Sequence, residues 1–75
     1  MNKERKKEIK DFKEQLEALL YRLESISSDE ELYYDSIPEN LQCSERAETS
    51  EEAIEIFDDV KENIQEAINK LDEIF

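Results

Sequence analysis

The chain has 75 residues, one small domain that can hide only roughly 60% of the surface its unfolded form exposes. With 22 Asp plus Glu against 10 Lys plus Arg, its net charge is −12. That charge argues against direct contact with nucleic acid or anionic membranes, which are themselves negative. The lack of Gly, Trp and His suits a long helix or coiled coil, and disorder is the competing reading.

Apolar periodicity decides against disorder. Ile9, Phe12, Leu16, Leu19, Leu23 and Ile26 recur at alternating spacings of three and four, continuing through Glu30 to Tyr33 and Ile37. This is an a/d seam with Ile9 at a. Leu20 and Tyr34 widen it at the neighbouring e position, the broader face of a bundle helix. With no Gly or Pro before Ile37, the spacing predicts one helix over about residues 3–35.

The start of this helix is basic: Lys3, Arg5, Lys6, Lys7, Lys10 and Lys13 outnumber Glu4, Glu8 and Asp11. Cations there oppose the helix dipole by a few tenths of a kcal/mol each, so a compensating contact with the acidic C-terminus is expected.

A turn over residues 36–43 follows. Ile37 precedes the only proline and is biased away from helical geometry, while Pro38 suits the first turn of a new helical segment. Ser36 and Glu39 stand at capping-box spacing. A hairpin centred near residue 38 sets Glu30, the one charge in the first seam, opposite Arg46, predicting an ion pair at the closed end. The same count brings Lys3, Lys7 and Lys10 beside Glu66, Asp72 and Glu73.

The second helix spans about residues 44–75. Ala53, Phe57, Val60, Ile64, Ala67, Leu71 and Ile74 form its seam, with Ile54, Ile68 and Phe75 at e. "EAIEIFDD" at 52–59 returns as "EAINKLDE" at 66–73, an offset of two heptads, and such a strict repeat favours left-handed supercoiling. Ser44 is the favoured cap, because Glu45, Glu48, Glu51 and Glu52 then fall at the positive end of the dipole. Thr49 with Glu52 is the alternative start. The fold class is therefore all-α: an antiparallel two-helix hairpin, coiled-coil-like. Its a/d/e stripes are wide enough to want a second neighbour each, so a homodimeric four-helix bundle is expected.

Nothing in the chain suits catalysis. Cys43 is the only cysteine and has no His to activate it, and glycine-rich phosphate loops and metal-ligand spacings are missing from the sequence. The reading is a protein that is not an enzyme and takes no cofactor and no metal. The single cysteine and the charged Met1-Asn2-Lys3-Glu4-Arg5 start, which does not read as a secretory signal, predict a cytoplasmic setting. No apolar run approaches the ~20 residues that span a bilayer.

The most distinctive feature is a row of acids. Glu45, Glu48, Glu52, Glu55, Asp59, Glu62, Glu66 and Glu73 repeat at c and f, opposite the seam of the second helix. Successive carboxylates step by about 5 Å along the axis, near the roughly 3.4 Å charge spacing of a DNA strand. Glu51, Asp58 and Asp72 broaden the row. Like charges at i,i+4 cost a few tenths of a kcal/mol each, which a functional role for the row would explain, beside the alternative that the face only keeps the protein in solution. Tyr21, at f on the first helix, is the candidate aromatic anchor.

"YYDSIPENLQCSERAETSEEAIE", together with the opening "MNKERKKEIKDFKEQLEAL", resembles a family of small uncharacterised acidic helical proteins encoded by phages, prophages and mobile elements of Gram-positive bacteria. The matching positions are Tyr34, Asp35, Ser36, Ile37, Pro38, Glu39, Leu41, Gln42, Ser44, Glu45 and Arg46. Members often carry Gly where this chain has Ala47, which favours a continuous second helix here. The resemblance implies a mobile-element setting and no known chemistry.

Two functions follow as expectations. In the first, the acidic row docks on a basic host protein, such as a nuclease or another nucleic-acid-binding defence protein, and inhibits it by mimicking nucleic acid, in the manner of anti-restriction or anti-CRISPR proteins. In the second, the hairpin is an assembly element of a phage or mobile element.

Overall fold

Both long helices begin on capping side chains. In the computed structural model, which describes residues 1–75, the Asn2 side chain accepts from the Arg5 amide at 2.7 Å and starts α1, Lys3–Ser36. The Ser44 side chain accepts from the Ala47 amide at 3.3 Å and starts α2, Glu45–Asp72. Each cap satisfies one of the amides that a helix start leaves without an intrahelical partner. Thr49 lies inside α2, its hydroxyl turned back to the Glu45 carbonyl at 2.9 Å, so the later start is not used.

The connection is a three-residue 3-10 turn, Glu39–Leu41, entered from extended Pro38. Ser36 does not cap this turn as the capping-box spacing suggested. It still lies in α1, and its hydroxyl donates to the Tyr33 carbonyl at 2.7 Å. The Gln42 amide closes the turn instead, donating to the Ile37 carbonyl at 2.8 Å.

The two helices pack along each other as an all-helical hairpin. The result is a rod measuring 60 × 15 × 13 Å with a radius of gyration of 17.4 Å, where a compact chain of this length would give about 11 Å. No helix is long and apolar enough to cross a membrane.

The seam differs from the a/d expectation by one column. Buried and half-buried positions on α1 are Ile9, Leu16, Leu23, Glu30 and Ile37 at a, with Lys13, Leu20, Ser27 and Tyr34 at e. On α2 they are Ser50, Phe57, Ile64 and Leu71 at a, with Ala47, Ile54, Lys61 and Ile68 at e, and of the predicted d residues only the small Ala53 and Ala67. The d residues Phe12, Leu19, Ile26 and Tyr33 are exposed. Positions d, a and e together span about 100° of a helix, and a single neighbour covers only part of that arc. Small side chains decide which part: Ser27, Ala47 and Ser50 are buried and let the backbones approach. Lys13 and Lys61 lay their stems along the seam and carry their ammonium groups to its edge, where they meet Asp72 and Asp58.

The register also differs. Glu30 does not pair with Arg46; its carboxylate accepts from the Ser50 hydroxyl at 2.7 Å, one helical turn further along α2. Farther from the turn, Lys13 meets Asp72. The 3-10 turn and the Gln42 bond set the pivot later than Pro38, so everything on α1 faces a later residue of α2. Lys3, Lys7 and Lys10 consequently form no ion pairs with Glu66, Asp72 or Glu73. Continuing the register from Lys13 and Asp72 to Phe75 leaves residues 3–8, all exposed, beyond the end of α2 as a basic spur, with Ile9 half-buried at its base.

Lys13 makes the one ion pair between the helices, at this end of the rod. The Asp72 hydrogen bond raises its pKa above the ordinary 10.5, against desolvation pulling the other way. A raised folded-state pKa gives stability that is complete below the unfolded value and is lost as pH climbs through the folded one. The stability difference between wild type and Lys13→Gln is therefore expected to stay constant from neutral pH up to about 10.5 and to close above it. Urea titrations at stepped pH would check this, and a difference that persists at high pH would rule the tie out as its source.

Candidate functional site

The carboxylates at c and f stand on the side of α2 facing away from α1. Glu45, Glu48, Glu52, Glu55, Asp59, Glu62, Glu66 and Glu73 are all exposed. None of them joins an ion pair: the bridges of this chain link Lys13 with Glu17 and Asp72, and Lys61 with Asp58. Their negative charge is thus left to solvent and counterions, with no internal cation to cancel it.

Around one flank of the rod the acidity continues onto α1. Glu17 and Glu24 at b, with Asp72 and Gln65 at b on α2, wall an open groove of about 420 Å³ floored by Leu20 and Ile68. Tyr21 stands at its lip opposite Asn69 and is 76% exposed. The sequence offered Tyr21, at f on α1, as the aromatic anchor. The structure places it across this groove, among carboxylates that the row did not include. Glu17 and Glu24 carried a signal in their b-column spacing, but only the register brings them to Asp72.

The opposite flank is different in kind. There Tyr33 and Arg46, both at d, share a shallow depression with Glu30, Glu45, Thr49 and Ser50. Arg46 is exposed and forms no ion pair. Ser36, Pro38 and Ser44 serve the turn, and Cys43 is exposed beside them as a free thiol. No group of three or more His, Cys, Asp or Glu side chains is arranged to hold a metal ion.

No family model, curated protein or solved structure matches the chain.

Proposed function

We propose that the protein is a non-enzymatic binding module whose acidic face, from the outer side of α2 across the Tyr21 groove, docks on a basic nucleic-acid-binding protein and occupies its nucleic-acid site. The observation that carries this reading is the set of eight exposed carboxylates from Glu45 to Glu73 without a single internal ion pair. An outer face serving solubility alone mixes signs. A face kept uniformly negative accelerates encounter with a positive groove and repels other acidic proteins. Tyr21 supplies aromatic contact area within that field. The resemblance to mobile-element proteins makes a host defence nuclease the natural class of target.

The test is a pull-down from a Gram-positive host with tagged wild type and the variant Glu52→Gln, Glu55→Gln, Asp59→Asn, Glu62→Gln. Wild type is expected to retain a basic nucleic-acid-binding protein at low salt and to release it near 0.5 M, where the Debye length falls to roughly 4 Å. The variant should bind it about tenfold or more weakly while keeping its helix content. Equal retention by the variant would remove the acidic face from the reading. Retention of phage structural proteins through the salt wash would favour the assembly role, for which the exposed d residues are the supporting observation.

A further inference from the structure

The internal seam uses the less apolar of two available columns. Column e, which faces the seam, contains Lys13, Ser27 and Lys61, whereas column d, whose large side chains are exposed and whose Ala53 and Ala67 are half-buried, is apolar within the two helices except at Arg5 and Arg46. The grooves show where the d columns lie. Glu17 and Glu24 share one flank with Gln65 and Asp72, all at b. Tyr33 shares the other with Arg46, both at d. The d residues of both helices therefore form one continuous apolar face along a single flank. Phe12 and Leu19 are about half exposed there, Ile26 is 43% exposed, and Ile56 on the rim is 59% exposed.

We propose that this flank is covered by a second copy of the chain, giving an antiparallel four-helix dimer in which α1 of each copy lies over α2 of its partner.

Charge selects a second copy. The chain carries −12 overall, so two copies repel along most approaches. On the d and g columns of this flank, however, Arg5, Arg22, Arg46 and Lys70 stand against Glu8 and Asp29. It is the one long face on which cations are not outnumbered. Size agrees. The part of the flank shared by both helices is as long as α2, about 42 Å, and the rod is 15 Å wide, which gives on the order of 600 Å² in projection, the lower end of the roughly 600–1,000 Å² per partner of a standard specific interface.

Shape fixes the arrangement. The d side chains of α1 are large, Phe12, Leu19, Ile26 and Tyr33, while those of α2 are mostly small, Ala53, Val60 and Ala67. By the register of Lys13 with Asp72, Leu19 lies level with Ala67. A two-fold axis parallel to the rod then stacks Leu19 over the partner's Ala67 and covers the flank along its whole length. Large side chains facing small ones let layers interdigitate without voids.

The experiment is light scattering after size exclusion across a concentration series, with far-UV circular dichroism on every variant. Wild type should run at twice the 8.9 kDa chain mass. Ile26→Asp should weaken the dimer by at least about 100-fold, because an isolated carboxylate resists burial. Leu32→Asp, at an exposed c position away from the flank, should leave it unchanged. If Ile26→Asp loses helix, Leu19→Ala serves as the milder probe. It should weaken the dimer about tenfold by deleting buried apolar volume, and adding Ala67→Leu should recover most of that loss. A monomeric wild type at ~100 µM, a far higher concentration than a specific interface of this size requires, would overturn the proposal. So would equal dissociation by Leu32→Asp and Ile26→Asp. All of these readouts are independent of the acidic face, so failure here leaves the docking proposal standing, and the reverse also holds.

Discussion

Ile68→Ala is expected to cost about 2–4 kcal/mol, a large share of what so small a domain has. Ile68 is 4% exposed and is the only large aliphatic side chain that the hairpin fully buries. It also floors the Tyr21 groove together with Leu20. Truncation removes three carbons from the buried seam, and the surrounding side chains relax only partly into such a gap. A chain of this length has only about 4–11 kcal/mol of total stability. Urea unfolding followed by helix signal should show a lower midpoint with little change in slope. The exposed control Leu32→Ala should move it by less than about 0.5 kcal/mol. An Ile68→Ala midpoint equal to wild type would mean that e is not the buried column.

That column could not be read from the sequence. The helices could, because their signals are local: spacings of three and four set their existence, and Ser44 before a run of acids set the start of α2. The choice between a/d and a/e depends on how closely two backbones approach, which Ser27, Ala47 and Ser50 control jointly from different helices. Pattern reading also favoured d on composition, and d is indeed the more apolar column. The prediction of a Glu30–Arg46 pair failed for a related reason. Pairing across a hairpin depends on the pivot, and the Gln42 side chain closing on the Ile37 carbonyl moves that pivot beyond Pro38. The candidate site divides in the same way. The acidic row follows from charge periodicity on one helix, whereas the groove joining Tyr21 to Asp72 requires the register between two.

Ser27→Ala is expected to stabilise the fold by about 1–2 kcal/mol, raising the melting temperature by about 4–8 °C per kcal/mol for a domain of this size. Ser27 is 1% exposed, and its hydroxyl has no hydrogen-bond partner in the protein. A buried hydroxyl in that state carries its desolvation cost without compensation. Alanine removes the cost, keeps the close approach that a larger residue would prevent, and is the better helix former by a few tenths of a kcal/mol. Ser50 provides the contrast within the same seam. It is as small and nearly as buried, but its hydroxyl donates to the Glu30 carboxylate at 2.7 Å. Ser50→Ala deprives a half-buried charge of a hydrogen bond worth about 1.5–3 kcal/mol, which exceeds the gain in helix propensity, so the net change should be destabilising. Thermal melts of the two variants should thus shift in opposite directions from wild type. A Ser27→Ala melt at or below the wild-type temperature would show that the hydroxyl contributes a favourable contact, such as a bond back to the Leu23 carbonyl one turn earlier. The seam would then hold no polar group whose removal helps, and the preference for e over d would rest on packing alone.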